Sequence, residues 1–159
     1  MADVIVDGRT RVAWATSIAN ISAPTVAELE AAVDLTTRIT PDGLGITPET
    51  ATVDTSNLAS TFTTNRAGRR SYSNELTFKR GTTPADDAPH TTLKYKTVGY
   101  LIVRRTLEYE EPWEVGQEVE VYPIECGEPQ QIPPAPNEVA KFTSPMMVTD
   151  DPDTAAVVA

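Results

Sequence analysis

The sequence predicts a mainly β domain, with two packed antiparallel sheets in a sandwich or partial barrel and one or two short flanking helices. Three observations predict it: Thr and Val are abundant, thirteen prolines and other turn residues break the chain into short segments, and several segments alternate apolar and polar residues. The length of 159 residues suits one domain. We therefore divide residues 1–159 into a single domain with an N-terminal arm (1–11), a long hairpin loop (55–70) and an acidic C-terminal tail (149–159).

The first third of the chain predicts a strand, a helix and a second strand. The first strand covers residues 12–15, and the segment APTVAELEAAVD predicts a short helix. Thr25 is its expected N-cap, with Glu28 as the capping-box partner three residues later. A strand is expected over 35–40 and ends at Pro41, because the stretch PDGLG that follows has two glycines available for positive φ angles in a turn.

A long hairpin follows, with its arms predicted at residues 46–54 and 71–79. In the second arm, apolar residues alternate with polar ones, so one face of the hairpin is expected to be dry and the other wet. The segment between the arms, TSNLASTFTTNRAGRR, is far longer than the two to five residues of an ordinary hairpin loop. This length predicts a loop that is either functional or disordered.

The second half of the chain predicts a short helix within residues 82–96 and a paired strand region. Pro89 fits that helix only near its start. The run VGYLIVRRTL is the most apolar strand, and its expected antiparallel neighbour is the stretch EPWEVGQEVEVYPIECG at residues 111–127. Pro123 predicts a bulge or the end of pairing there. A proline-rich connector and a last strand over 138–148 follow, and the tail has no predicted partner.

The acidic alternation in EVEVYPIEC raises the question of which face of this strand is wet. Val119, Val121 and Ile124 are expected to face the core. Glu118 and Glu120 then face solvent, a channel or a neighbouring subunit. The sequence leaves these three destinations open.

Charge and cysteine content restrict the classes of protein. A formal net charge of −10 argues against a protein that wraps a phosphate backbone, since such proteins concentrate Lys and Arg on one face. Arg66, Arg69 and Arg70 form the only basic cluster, and we interpret it as pairing with a neighbouring subunit's carboxylates rather than with phosphate. Cys126 is the only cysteine, which indicates a reducing compartment. No segment approaches the ~18 apolar residues of a membrane span, so we predict a soluble protein without membrane association.

Catalytic, metal and cofactor signals are weak. His90 is the only histidine that a nucleophilic site could use, and we interpret it as a helix surface residue. Cys126 has no basic neighbour in sequence, which favours an inert thiol. The stretch GLGITP lacks the third glycine of a dinucleotide fingerprint, and Asp150, Asp151 and Asp153 lack the glycine and distal glutamate of a calcium loop. We predict no enzyme activity, no catalytic residues, no metal and no cofactor.

Several motifs together resemble a known family. The most specific are the APTVAEL helix, the GYLIVRR strand, and the acidic strand ending in VYPIECG before a proline-rich turn. Over nearly the whole chain, the sequence resembles the major tail proteins, or tail tube proteins, of long-tailed actinobacterial bacteriophages. The resemblance implies a tail-tube fold, hexameric rings and stacking of those rings into a tube whose channel conducts the genome during ejection. Pro89 departs from the family's usual helix formers and leaves the length of the second helix in doubt.

The resemblance also implies partners and surfaces. Each subunit would contribute about four strands to an inner barrel of about 24, wide enough for duplex DNA. Carboxylates on that wall would repel phosphates, so that DNA slides without specific binding. The candidates are Glu49 and Glu75 on the wet face of the hairpin, with Glu118 and Glu120 in reserve. Expected partners are further copies, a tape-measure protein, passing DNA, and terminator and tail-tip proteins, in a virion tail assembled in the host bacterial cytoplasm.

The long loop supplies the expected assembly interface. Leu58 and Phe62 are apolar residues in a polar loop, and we expect them to dock on an adjacent subunit together with Arg66, Arg69 and Arg70. Two alternatives stay open: a tail-terminator or head-tail connector ring, which would not polymerise, and a receptor-binding β-sandwich module. The module would need an aromatic groove, which an aromatic content of 6% disfavours.

Overall fold

The computed structural model describes residues 2–159 and is mainly β, as predicted, with two short α-helices and a turn of 3-10 helix at Thr36–Arg38. Helix α1 is Val26–Glu30 and helix α2 is Ala88–Thr92. The nine strands are β1 (Arg11–Ala15), β2 (Val33–Asp34), β3 (Ile39–Asp54), β4 (Asn65–Lys79), β5 (Val98–Arg104), β6 (Glu118–Cys126), β7 (Gln130–Gln131), β8 (Lys141–Val148) and β9 (Asp153–Val157).

All nine strands belong to one antiparallel sheet, where we predicted two packed sheets. The strand order is β2-β1-β5-β6-β8-β4-β3, with β7 paired to β8 and β9 paired to β6. The sheet is not closed into a barrel, and within residues 2–159 the outer edge of the long strand β3 has no partner strand. An unpaired edge of this length exposes backbone donors and acceptors that another chain can use.

Both faces of the sheet carry an apolar core, because its central strands are buried on each side. The first core lies on the face of β5 that carries Leu101 and Val103, and the second lies on the face that carries Ile102. Large members of the first core are Trp14, Leu76, Phe78, Leu101, Tyr122 and Phe142. The second core contains Ala13, Leu29, Ile102, Trp113, Val119, Val121, Ala156 and Val158.

Helix α1 begins as the sequence predicted. The Glu28 N–H donates to Thr25 Oγ1 at 3.3 Å, and the Thr25 N–H donates to Glu28 Oε1 at 3.1 Å, which completes a capping box. Donation from the Thr25 and Ala19 N–H groups to its carboxylate holds the pKa of Glu28 below its usual value. The helix is shorter than expected, however, because Val33 belongs to β2; among the helical residues only Leu29 is buried.

The prediction of a strand ended by Pro41 and a glycine turn was wrong. β3 begins at Ile39 and continues through Pro41, with a shift in register against β4 between Ile39 and Leu44. A bulge at an unpaired edge tolerates proline because no ladder donor is needed there. Glycine is needed for close approach rather than for a turn, since a Cβ on Gly43 would lie 2.6 Å from the Thr77 carbonyl oxygen.

The predicted hairpin is present and is longer than expected. β3 and β4 stay paired out to Asp54 and Asn65, so the connecting loop is 55–64 rather than 55–70, and the three arginines lie on β4. β8 pairs with β4 only over Asn74–Lys79. Residues 47–73 therefore form a two-stranded ribbon with its loop, which extends beyond the sheet; we call it the projecting hairpin.

Pro123 marks the point where one neighbour of β6 replaces another. On one side of β6, the residues before Pro123 pair with β9 and those after it pair with β8. The Pro123 carbonyl accepts from the Thr149 N–H at 3.0 Å, on the side of this gap. The donor that proline lacks would point the same way, so no ladder hydrogen bond is lost.

The expected face of Ile124 was wrong. Val119 and Val121 pack in the second core, whereas Ile124 packs in the first core on the opposite face. The side chains of a strand alternate between faces, so residues an odd number apart cannot share one. Residues 121–124 of β6 are therefore buried on both faces, and its carboxylates lie towards the two ends of the strand.

The sequence predicted an acidic tail without a partner, and this prediction was wrong. The last predicted strand begins at Lys141, and the chain then forms a further strand, β9, on β6. Ala156 and Val158 are buried in the second core. Pro89 lies in the first turn of α2, where proline is tolerated as predicted.

Candidate functional site

Two of the predicted channel carboxylates share one face of the sheet. Glu75 is opposite Gly45 on β3 and Pro145 on β8, and Glu49 is opposite Ser71. Because the register is continuous from Glu75 to Glu49, both side chains lie on the face opposite Leu76 and the first core. Both are exposed.

Glu125 joins this face, although the sequence analysis did not select it. Its partners are Met147 on β8 and Val98 on β5, both exposed. We call Glu49, Glu75, Glu125, Val98 and Met147 the carboxylate face. The alternation of side chains in a strand could have identified Glu125. It is an odd number of residues from Glu118 and Glu120, so its side chain lies on the opposite face from theirs.

The same side of the sheet changes character along its strands. One part is covered by α1 and β9, which bury the second core. Towards the end of the β4–β8 ladder, Lys79 is opposite Lys141, and both are half-buried. Glu75, which is exposed, and Glu125, which is half-buried, therefore lie in the uncovered region next to the projecting hairpin, and Glu49 lies on the hairpin itself.

The two reserve carboxylates lie on the opposite face. Glu120 is opposite Val103, whose side chain belongs to the first core. Its carboxylate accepts from Arg105 Nε and from the Tyr122 hydroxyl, each at 2.6 Å. Burial, together with this hydrogen bond, raises the pKa of Tyr122. Glu118 is exposed at the start of the strand, so the structure does not bring these two residues together with Glu49 and Glu75.

The loop at the tip of the projecting hairpin is held by its own hydrogen bonds. The Thr55 N–H donates to the Thr64 carbonyl at 2.9 Å, and the Thr64 N–H donates to Ser56 Oγ at 3.1 Å. Leu58 is fully exposed and Phe62 is 78% exposed. An internally bonded loop thus holds two large apolar side chains in water.

The three arginines differ in their contacts. Arg70 Nη2 forms an ion pair at 2.7 Å with Asp151 Oδ1 of the same chain, and both side chains are largely exposed. Arg66 and Arg69 are exposed on β4, and within residues 2–159 neither has a carboxylate within 4.0 Å. These two side chains are available to a neighbouring molecule.

The residues that were considered for catalysis, His90 and Cys126, pack against other side chains of the fold. His90 is half-buried, with its ring edge-on to Phe142 and 3.8 Å from an Asp87 carboxylate oxygen. Asp87 itself forms two hydrogen bonds of 2.9 Å with Arg80. Burial raises the pKa of the Cys126 thiol to about 12, which makes it a poor nucleophile. In the part of the chain that is described, no cluster of three His, Cys, Asp or Glu residues could hold a metal ion.

Comparisons with known proteins agree with this architecture. The family model described as phage tail tube protein matches residues 1–159. A chain in the cryo-EM structure of the anti-feeding prophage baseplate, 6-fold symmetrised, has a similar fold with a TM-score of 0.62 and 12% sequence identity, over 98% of each chain. No curated protein matches the sequence. No helix within residues 2–159 is long and apolar enough to cross a membrane.

The family match covers the whole chain, and the mainly β structure with its exposed hairpin and open sheet edge is consistent with a subunit of a larger assembly. The chain belongs to the phage tail tube protein family.

Proposed function

We propose that this protein is the structural subunit of a phage tail tube, in which six copies close a ring and rings stack around a channel that conducts the genome. The observation that carries the proposal is the projecting hairpin, which presents Leu58 and Phe62 to solvent on an internally bonded loop. Family membership supports a tail structural role, and the similar fold in a 6-fold symmetrised baseplate supports the ring symmetry.

The hairpin suits contacts between copies. Large apolar side chains that are held away from their own core gain roughly 1.5–3 kcal/mol each when they are buried. The free edge of β3 offers a second contact, through backbone pairing with a neighbouring sheet. A subunit with these two surfaces is incomplete alone and is stabilised by neighbours.

The carboxylate face suits the wall of a channel. Glu49, Glu75 and Glu125 would repeat around a ring and repel the phosphates of passing duplex DNA. Glu118 and Glu120 lie on the other face, so we place Glu125 before them as a channel residue. The net charge of −10 favours sliding over binding for DNA anywhere on the protein.

The proposal extends to location and partners. The subunit would act in the tail of a long-tailed phage of an actinobacterial host, after assembly in the host cytoplasm. A tape-measure protein would occupy the channel before DNA does, and terminator and tail-tip proteins would cap the ends. We propose no enzymatic step for it.

The hairpin gives the direct experiment. Replacing Leu58 and Phe62 with Ser should leave the circular dichroism and thermal unfolding of the subunit unchanged and prevent tube formation in electron micrographs. A matched control replaces the exposed loop residues Thr61 and Thr63 with Ser, and its tubes should be of normal length. Normal tubes from the Leu58 and Phe62 variant would reject the hairpin as an assembly element.

A tail-terminator or connector ring is the second candidate, since the similar fold occurs in a baseplate. Such a protein would form rings that do not stack. Electron micrographs of the parent protein over a range of concentrations separate the two, because only a tube subunit polymerises further as its concentration rises.

A further inference from the structure

Two lysines lie opposite each other at the end of the sheet that is away from the projecting hairpin. Lys79 is the last residue of β4, Lys141 is the first residue of β8, and the two are paired in the register. The register is continuous from Glu75 to Lys79, so both lysines lie on the side of the sheet that carries the carboxylate face. Four residues of strand separate Glu75 from Lys79, which is roughly 13 Å.

The other two lysines of the chain lie at the same end of the sheet. Lys94 and Lys96 are exposed in the turn between α2 and β5. His90 of α2 packs edge-on against the ring of Phe142, the residue that follows Lys141. This contact places α2, and the turn that follows it, beside the beginning of β8. We call the four lysines of the sequence, Lys79, Lys94, Lys96 and Lys141, the lysine end.

The turn that carries Lys94 and Lys96 has an unusual backbone. Lys96 has a φ of 63°, in the left-handed region that lysine rarely adopts. Its N–H donates to the Cys126 carbonyl at 2.8 Å, and the Thr97 N–H donates to the Lys94 carbonyl at 3.0 Å. The turn is therefore fixed by backbone hydrogen bonds while it presents two ammonium groups to solvent.

The chain itself neutralises little of this positive charge. In the part of the chain that the structure describes, only Lys141 among the four lysines has a carboxylate within 4.0 Å. That contact, with Glu138, is 3.8 Å long, and the Glu138 side chain is 50% exposed. An exposed pair of this kind contributes little. The lysine end is thus a local exception to the net charge of −10.

The pair of Lys79 and Lys141 has a cost that an anion would remove. Like charges directly opposite each other in a ladder destabilise the sheet. Both side chains are half-buried, so water screens their repulsion only in part. An anion placed between them replaces one repulsion by two attractions, and an ammonium group with three donors suits the oxygens of a phosphate.

We propose, on the basis of the proposed tube function, that the lysine end binds backbone phosphates of duplex DNA in the channel. Each subunit then presents carboxylates near the hairpin, which repel DNA, and lysines at the other end, which attract it. The attraction arises from counterion release, so it is strong in dilute salt and weak in concentrated salt. Lysine is a point charge without the two-pronged geometry of arginine, which suits a contact that is made and released at any sequence.

Co-sedimentation with assembled tubes tests the contact. Tubes are assembled with a short fluorescent DNA duplex at about 20 mM salt, where screening is weak, and the DNA in the pellet is measured. Changing Lys79 and Lys141 to Gln should weaken binding of the duplex about tenfold and make its salt dependence shallower. Changing Lys94 and Lys96 to Gln should give a loss of the same kind from the separate turn.

Two controls separate the lysines from charge in general. Changing Lys79 and Lys141 to Arg keeps the charge and should retain binding. Changing Arg9 and Arg105 to Gln removes the same charge at the other end of β5, where Arg105 follows the strand and Arg9 donates to the Thr106 carbonyl. Tubes of this second control should bind the duplex as the parent does.

The outcomes distinguish this contact from the proposed function. Equal binding by the parent and the Gln variants, or an equal loss in the arginine control, would overturn the contact. Gln variants that fold but form no tubes would show that the lysines join neighbouring copies instead, which would also overturn it. A parent protein that forms neither rings nor tubes would overturn the proposed function itself, whereas parent tubes leave only the DNA contact to be decided.

Discussion

Arg104 is a buried cation that organises the loop between β5 and β6. It is 0% exposed, and its guanidinium donates to the carbonyls of Glu108 and Glu111 at 2.9 Å. It also donates to Gln117 Oε1 at 3.2 Å and lies over the ring of Trp113. Burial lowers the pKa of this group. One side chain thus satisfies several carbonyls of a loop that lacks regular hydrogen bonding.

Replacing Arg104 with Met should destabilise the protein by about 3 kcal/mol, because the freed carbonyls lose charged hydrogen-bond donors. The matched control is Arg105→Ala, whose exposed ion pair with Glu120 should contribute no more than about 1 kcal/mol. Urea unfolding of both variants measures the difference. Equal losses would show that Arg104 acts only as a surface charge would.

Cys126 should make the stability of the protein depend on pH in alkaline solution. Burial raises the pKa of its thiol from 9.0 to about 12, so above pH 9 the unfolded chain releases a proton that the folded chain keeps. Stability is therefore full below the unfolded pKa and falls as pH rises, by about 1.4 kcal/mol per pH unit from this group.

A Cys126→Ala variant should lose this part of the slope. Urea unfolding of parent and variant between about pH 8 and 10.5 gives the comparison, with Tyr122→Phe as a second variant because burial also raises the pKa of that hydroxyl. Identical slopes in parent and Cys126→Ala would contradict the burial of the thiol.

At the scale of elements, β9 shows how a terminal segment gains structure from the sheet. Alone, the sequence DTAAVVA has no long apolar run and follows two acids, Asp150 and Asp151. In the fold this segment pairs with β6 and buries Val119 and Val121 on the face that carries the second core. The free energy of this strand comes from tertiary burial rather than from local propensity.

Val158 is therefore expected to matter more than its neighbour Val157. Val158 is 1% exposed in the second core, whereas Val157 is 45% exposed. Replacing Val158 with Ser should cost about 2 kcal/mol through lost apolar burial and a buried hydroxyl. Val157→Ser should change stability by roughly 0.5 kcal/mol or less. Thermal unfolding measures both variants. Similar losses of stability would contradict the packing of this C-terminal segment against β6.

Local signals predicted the elements whose cause is local. The capping box of Thr25 and Glu28 and the alternation in β4 both describe contacts within a few residues, and both predictions are confirmed. The sequence could not predict that β3 runs through Pro41, because the tolerance for proline depends on a bulge and an unpaired edge. It also could not predict β9, whose paired residues on β6 lie 32 to 39 positions away in the chain.

The same distinction applies to the candidate site. Exposure of Leu58 and Phe62 followed from their polar surroundings in sequence, and the shared face of Glu49 and Glu75 followed from strand alternation. Glu125 did not, since its place on this face depends on which strands become neighbours in the sheet. The alternation of side chains along β6 places Glu120 on the face opposite Glu125. Because residues 121–124 are apolar on both faces, however, the sequence did not show which face is wet.

For the whole molecule, the carboxylate face predicts how the proposed tube would treat DNA. Glu75 and Glu125 lie near the centre of the uncovered face, on strands β4 and β6 that are both joined to β8. In a channel, changing both to Lys would replace repulsion of phosphates by ion pairing with counterion release. We expect tubes of the Glu75→Lys and Glu125→Lys variant to retain duplex DNA that nuclease cannot reach. Raising salt from about 50 to 200 mM should weaken this retention by roughly 10³-fold or more.

The matched control changes the exposed residues Glu30 and Glu118 to Lys. It adds the same charge away from this face, so any DNA that it binds should be digested. Equal protection by both variants would place the channel wall elsewhere on the subunit.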